Sequence, residues 1–198
     1  KIIYASSAAV YGEPHYLPVD EEHPNTPISF YGISKYTPEH YIRVYAGMHG
    51  FSYTILRFAN AYGIRQDPKG EGGVVSIFVD KLLTGQTPVI FGDGEQTRDF
   101  VYVADIPEAC VRAAHKGDGA IINVSTNTQT SVNQLLAVME EALGVDIPAE
   151  YRPARAADIV DNYMDNTRLR ELLGFVPAYD INRGLSETIA YYKKQYQK

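Results

Sequence analysis

Two short apolar runs on either side of one long helix-forming stretch constrain the fold of this chain more than any other feature. Residues 1–5 predict a short buried strand, and Tyr53–Phe58, which is apolar and contains β-branched residues, predicts a second. Between them, Ser29 is suited to cap a helix that continues to about His49. A strand, a helix and a second strand in this order form the βαβ unit of a parallel sheet. We therefore expect an α/β protein.

The rest of the chain predicts shorter elements without a flexible linker, so we expect one continuous body. Residues 60–73 predict a loop. We predict helices at Val74–Leu83, 106–115, Val132–Leu143, Thr167–Leu173 and 183–196, and strands or extended segments at Val89–Phe91, 99–103, Ala120–Val124 and 149–151.

Composition and charge exclude several classes of protein. The chain has 198 residues, of which 45% are hydrophobic and 21% charged, as in ordinary globular proteins. A net charge of −6 argues against nucleic-acid or anionic-membrane partners, because these need a broad basic field. Any anionic ligand must then be held by a few local arginines.

The cysteine content and the first residues of the sequence indicate the cellular compartment and the position of the native N-terminus. The single Cys110 excludes an intrachain disulfide framework and fits a reducing compartment such as the cytoplasm. We find neither a membrane-spanning apolar stretch nor metal-ligand spacing among the five histidines. Because the sequence opens without Met on an apolar run, we expect the native N-terminus to lie upstream.

The most informative residues are a Ser-rich strand end and a Tyr-x-x-x-Lys sequence. Ser7 follows the first strand, and Tyr31 and Lys35 are four residues apart at the start of the predicted helix, on one helical face. An ammonium about 6 Å from a phenolate stabilises it by about 2.8 kcal/mol at an effective dielectric of about 20. Tyr31 is therefore a candidate general base, and the Ser7 hydroxyl a candidate partner for the substrate oxygen. By itself the Tyr-x-x-x-Lys spacing is often accidental, but the Ser-rich strand end makes it more specific.

Six motifs in order resemble the extended short-chain dehydrogenase/reductase family, and within it the UDP-glucose 4-epimerase branch of galactose metabolism. They are Ser6-Ser7-Ala8-Ala9-Val10-Tyr11-Gly12, Tyr31-Gly32-Ile33-Ser34-Lys35, Leu56-Arg57-Phe58-Ala59-Asn60-Ala61-Tyr62-Gly63, Ile90-Phe91-Gly92-Asp93-Gly94, Thr97-Arg98-Asp99-Phe100-Val101-Tyr102-Val103 and Leu172-Leu173-Gly174-Phe175. This resemblance implies the C-terminal part of a Rossmann-type parallel sheet plus a smaller mixed α/β substrate-binding domain. It places a partial NAD-binding domain at residues 1–73 and a mainly nucleotide-sugar-binding domain at 74–198, from which some segments return to the Rossmann sheet.

The resemblance also implies roles for individual residues. Catalysis falls to Ser7, Tyr31 and Lys35, with Tyr31 as the base and Lys35 holding the nicotinamide ribose. The implied NAD contacts are Ala5, Ser6, Tyr31, Lys35 and Phe58. The implied UDP-sugar contacts are Ser7, Asn60, Val74, Phe91, Arg98, Arg155, Asp158 and Asn162, with the two arginines on the diphosphate.

By resemblance, the complete protein is an NAD-dependent isomerase that inverts C4 of a UDP-sugar through a transient 4-keto intermediate. Sister dehydratases and a class of uronic-acid decarboxylases carry acidic residues after the serine, where this chain has Ala8 and Ala9, so both are disfavoured. UDP-uronic-acid 4-epimerisation stays open. So does a non-catalytic nucleotide-sugar-binding module, since the glycine-rich NAD fingerprint is not in this sequence and we expect the isolated chain to be inactive.

Other departures and implications concern single positions. Ala157 replaces the family's glycine beside Asp158, and Pro38 predicts a kink just beyond Lys35. At the family's gatekeeper position near the sugar, Tyr goes with plain hexoses and smaller residues also admit N-acetylated sugars. Asn162 is intermediate in size, so we hypothesise use of both hexoses and N-acetylhexosamines. Family members pair the Tyr31 helix with a preceding helix across a homodimer interface, and we expect that preceding helix to lie upstream.

Overall fold

The computed structural model describes residues 1–69, 73–155 and 159–197. In chain order the elements are β1 (Ile2–Ser7), a 3-10 helix (Ala8–Val10), α1 (Phe30–His49), β2 (Tyr53–Phe58), β3 (Asn60–Tyr62), α2 (Val74–Leu83), β4 (Val89–Phe91), β5 (Thr97–Arg98), β6 (Phe100–Tyr102), α3 (Asp105–His115), β7 (Ala120–Val124), β8 (Thr130–Ser131), α4 (Val132–Leu143), β9 (Glu150–Arg152), α5 (Thr167–Leu173) and α6 (Ile181–Tyr196).

Three parallel strands build the sheet that the sequence predicted. β2 lies in the centre, between β1 and β7, and its Ile55 and Leu56 are fully buried, as expected for a strand covered on both faces. Ser7 pairs with Phe58, and Phe58 pairs with Val124. The carboxyl ends of the three strands therefore meet at one edge, where ligands of open α/β sheets bind.

Helix α1 begins and ends where its sequence signals predict. The Ser29 hydroxyl accepts a hydrogen bond from Gly32 N at 3.0 Å, and Gly50 ends the helix in the left-handed conformation, with φ of 69°. Pro38 cannot donate to the Ser34 carbonyl, yet the α-helix continues unbroken through it.

Short strands and helices form the second half of the molecule. β3 pairs with β6 and β4 with β9, both in parallel, while β5 and β8 are antiparallel. The loop predicted from residue 60 therefore begins three residues later, because residues 60–62 pair with Phe100–Tyr102, and such distant pairing leaves no local pattern. The strand predicted at 149–151 is shifted by one residue.

Two hydrophobic clusters divide the core. The first contains Leu56 and Ile122 of the parallel sheet together with residues of α3 and α5, such as Ala109 and Leu173. The second is built mainly from α2, α4 and α6 and includes Phe78, Leu135 and Leu185. Segments after residue 74 thus contribute to the first core, and the domain division at 73 stays a prediction. Within the described ranges, no helix is both long and apolar enough to cross a membrane.

Candidate active site

Ser7, Tyr31 and Lys35 come together at the carboxyl end of β1. Ser7 is the last residue of the strand, and its Oγ accepts a hydrogen bond from Ala9 N at 3.2 Å. Lys35 Nζ donates to the Ala5 carbonyl at 3.1 Å and lies 5.8 Å from the centroid of the Tyr31 ring. A phenol, a neighbouring ammonium and a hydroxyl thus occupy one edge of the sheet, and their catalytic roles stay predictions.

The close approach of α1 to the 3-10 helix depends on Gly32. A Cβ at this position would lie 2.5 Å from the Ala9 carbonyl oxygen, a distance at which the backbone would have to move. The glycine therefore allows the first turn of α1 to approach the chain just after Ser7. The neighbouring Tyr31 remains 51% exposed, so a ligand can reach its ring.

Tyr4 contacts Lys35 from the strand side. Its hydroxyl donates to the Lys35 carbonyl at 3.2 Å, and the Lys35 ammonium lies 5.9 Å from its ring centroid. Burial, and then the charges of Glu39 and Tyr31, raise the pKa of Tyr4. Tyr4 therefore stays neutral and holds the backbone of Lys35, while Lys35 lies between two aromatic rings.

The positions predicted to contact NAD lie along the ends of β1 and β2. The Ala5 carbonyl accepts from Lys35, and Phe58 pairs with Ser7. Ser6 is buried, and its hydroxyl donates to Glu39 at 2.5 Å, so its side chain is turned away from any ligand. The strand ends leave Tyr31 half exposed beside Lys35, an arrangement compatible with NAD, and the individual NAD contacts stay predictions.

Five of the residues predicted to contact the UDP-sugar line one cavity of about 400 Å³. They are Asn60, Val74, Phe91, Arg98 and Arg155. Lys81 lines the same cavity, which gives it three cations, and its described lining residues include no carboxylate. In a chain of net charge −6, this is the local positive surface that an anionic ligand needs.

Aromatic and backbone contacts order this cavity. The Arg155 guanidinium lies 4.0 Å from the centroid of the Phe91 ring, a cation–π contact. Gln96 Nε2 donates to the Phe91 carbonyl at 2.7 Å, and Arg98 Nη1 donates to the Thr97 carbonyl at 2.7 Å. The wall thus combines an aromatic face with guanidinium groups.

The structure does not bring Asn162 into the cavity, and it does not describe Asp158. Asn162 is not among its lining residues; its backbone N–H donates to the Thr97 carbonyl at 3.2 Å, next to Arg98. Asp158 and its neighbour Ala157 lie outside the described residues. The roles predicted for these residues stay predictions.

Sequence reasoning missed four polar residues of the site: Glu39, Arg57, Lys81 and Gln96. The sequence did contain a signal for Glu39 and Arg57. Arg57 interrupts the apolar run of β2, and Glu39 is placed four residues after Lys35 on α1. A charge inside a buried strand needs an opposite charge nearby, and only the fold shows which one.

The comparisons with known proteins agree with this geometry. Residues 1–125 match the model of the NAD dependent epimerase/dehydratase family. This chain belongs to that family. The UDP-glucose 4-epimerase of Mycolicibacterium smegmatis is 39% identical over 100% of this chain and 64% of its own length.

Two solved structures are closely similar. The UDP-glucose 4-epimerase of Thermotoga maritima, solved with UDP-glucose, has a TM-score of 0.95 and 42% identity. The UDP-N-acetylglucosamine 4-epimerase of Methanobrevibacter ruminantium, in complex with UDP-N-acetylmuramic acid, has a TM-score of 0.94 and 34% identity. Each match covers 98% of this chain and 63% of the solved chain. The chain thus spans slightly less than two thirds of the length of these relatives.

Proposed function

We propose that the complete protein interconverts UDP-sugars that differ in configuration at C4. The observation that carries this proposal is the cavity with three cations and no described carboxylate, which includes Asn60, two residues after the strand partner of Ser7. Arginine guanidinium groups donate two parallel hydrogen bonds to phosphate oxygens, so Arg98 and Arg155 suit a diphosphate. The Phe91 wall offers an aromatic face for the nucleobase.

The spacing between the two sites suits one sugar ring. Asn60 lines the cavity and is two residues after Phe58, which pairs directly with Ser7. Two extended residues span about 7 Å. A diphosphate near Asn60 would therefore place the attached hexose against Ser7 and Tyr31.

The chain's own residues would handle the proton of the C4 hydroxyl. Tyr31 accepts it as a phenolate, whose charge Lys35 stabilises, and becomes a neutral phenol, while Ser7 holds the same sugar oxygen by a hydrogen bond. NAD, held by Lys35 and the ends of β1 and β2, would supply hydride acceptor and hydride donor chemistry at C4, with no net redox change. Because Ala8 and Ala9 follow Ser7, no side-chain acid stands there to drive loss of water.

The test is UDP-sugar turnover by the complete protein and by its Tyr31→Phe variant. We expect interconversion of UDP-glucose and UDP-galactose, and a loss in kcat of about 100-fold or more in Tyr31→Phe, because general base catalysis contributes about 100- to 10,000-fold. The Kd for UDP should not change, since the cavity is intact. Tyr41→Phe, an exposed tyrosine on the same helix, is the matched control and should retain activity.

Parallel assays with N-acetylated and uronic-acid UDP-sugars decide the substrate class. Asn162 is smaller than tyrosine, so we propose that the acetylated sugars are also accepted. Failure to turn over the acetylated sugar would refute that part alone. UDP binding without turnover of any UDP-sugar by the NAD-loaded complete protein would instead indicate a binding module.

A further inference from the structure

Glu39 is a carboxylate of α1 that is buried against two strands of the parallel sheet. Its Oε1 accepts hydrogen bonds from Ser6 Oγ at 2.5 Å and from Arg57 Nε at 3.1 Å, and its Oε2 accepts one from Arg57 Nη2 at 2.6 Å. The side chains of Glu39 and Arg57 are only 2% and 1% exposed. We call Ser6, Glu39 and Arg57 the buried clamp.

The buried clamp joins the two elements that carry the reacting groups. Ser6 and Arg57 are direct partners in the β1–β2 ladder, so Glu39 binds both strands at one level. Ser6 precedes Ser7 on the strand. On α1, Glu39 follows Lys35 by four residues, one helical turn along the same face. The clamp is thus one residue from Ser7 and one turn from Lys35.

We propose that the buried clamp is a positioning device for catalysis. It fixes the rotation and the axial position of α1, so that Tyr31 and Lys35 meet the sugar oxygen held by Ser7. This inference rests on the proposed C4 epimerisation. An arginine–carboxylate pair with two parallel hydrogen bonds is strongly directional, whereas apolar contacts allow helices and strands to slide.

Stability alone is a weak reason for such a pair. Removing two charges from water is unfavourable, and apolar residues of similar volume often stabilise a core equally well. Burial lowers the pKa of Arg57, but the hydrogen bonds that it donates to Glu39 and the charges of Tyr11 and Glu39 raise it above its ordinary value. Arg57 therefore stays protonated.

Pro38 weakens α1 next to the buried clamp. Pro38 has no N–H for the Ser34 carbonyl, so α1 lacks one backbone hydrogen bond in the turn between Lys35 and Glu39. The clamp holds the helix immediately beyond this weakened turn. The position of the segment that carries Tyr31 and Lys35 then depends on contacts with the sheet as well as on helix rigidity.

The test is the Glu39→Met/Arg57→Met double variant of the complete protein, loaded with NAD. Both charges are removed together, so neither is left buried without a partner, and we expect the protein to remain folded. The reacting groups lose their directional anchor, and a misplacement of about 1 Å lowers the rate about 100-fold. We therefore expect kcat to fall about 100-fold while KM for the UDP-sugar changes less than about 2-fold.

Asp105→Asn is the matched control for loss of a buried carboxylate. Asp105 accepts hydrogen bonds from the backbone N–H groups of Ala178 and Tyr179, away from the reacting groups. Its variant should lose stability but keep kcat. Hydrogen exchange of residues 31–36 gives a second readout, and we expect it to be faster in the double variant than in Asp105→Asn.

The outcomes separate this inference from the proposed function. A folded double variant with wild-type kcat overturns the inference, as does a kcat loss that Asp105→Asn reproduces. If the wild-type protein turns over no UDP-sugar, the proposed function fails. In that case, an unchanged rate of hydrogen exchange at residues 31–36 in the double variant would also refute the positioning role of the buried clamp.

Discussion

At the residue scale, burying a polar side chain is unfavourable unless hydrogen bonds or an opposite charge compensate for the lost contact with water. Glu21 is an example outside the site. Its Oε1 accepts a hydrogen bond from Asn123 N at 2.7 Å, and its Oε2 lies 3.5 Å from Arg168 Nε. Burial nevertheless dominates and raises the pKa of Glu21. The folded state therefore holds this proton more tightly than the unfolded chain does.

This shift predicts how Glu21 links stability to pH. A carboxyl with a raised folded pKa contributes most below its unfolded pKa of about 4.5, and the contribution is lost as pH rises through the folded pKa. Glu21→Gln keeps an acceptor for Asn123 and does not titrate. We expect the variant to be more stable than wild type at pH 7, and the gain to vanish near pH 4.

Thermal unfolding at a series of pH values measures this difference. Glu22→Gln is the matched control, because Glu22 also contacts Arg168 but its side chain is 76% exposed. A gain that does not grow with pH, or that Glu22→Gln shares in full, would contradict the assignment to burial.

At the element scale, two helices begin with the same serine cap but differ in what their first turn carries. Ser29 Oγ accepts from Gly32 N at 3.0 Å at the start of α1, and Ser131 Oγ accepts from Gln134 N at 3.1 Å at the start of α4. Only the first turn of α1 contains a proposed catalytic residue, Tyr31.

Removal of either cap should lower the free energy of unfolding by a similar amount, but only one of the two removals should lower kcat. Ser29→Ala and Ser131→Ala are each expected to lower the free energy of unfolding by about 1 kcal/mol. Only Ser29→Ala loosens the turn that holds Tyr31, so only that variant should lower kcat. Denaturant unfolding and steady-state kinetics on both variants check this, and equal kcat values would show that the cap does not position Tyr31.

At the scale of the whole molecule, α1 exposes an apolar face opposite the sheet. The large exposed apolar side chains on this face are Phe30, Ile33, Tyr41, Val44, Tyr45 and Met48. A contiguous patch of this kind indicates an interaction surface. We propose that it pairs with a second copy in the complete protein, as the sequence resemblance implies.

A charge in this face should break the pairing. Val44→Glu places a carboxylate in the patch, and we expect it to shift the complete protein from dimer to monomer in sedimentation experiments. Val176→Glu is the matched control, because Val176 is 61% and Val44 60% exposed, but Val176 is not on α1. A dimer that survives Val44→Glu would place the interface elsewhere.

The sequence by itself determined the parallel sheet, the limits of α1 and most of the residues of the candidate site, whose roles stay predictions. These follow from local signals: apolar runs for β1 and β2, a serine before α1 and a glycine after it, and motifs that resemble a known family. Each signal lies within a few residues of the element that it specifies, so the chain need not be folded to show it.

Only the tertiary structure decided how distant residues combine. The β3–β6 pairing joins residues 40 positions apart, and Asn60, Arg98 and Arg155 meet across the cavity from three separate segments. Likewise, nothing in the spacing of Ser6, Glu39 and Arg57 shows that they share hydrogen bonds. Burial forces such charges to pair, but only the packing of α1 on the sheet selects the partner.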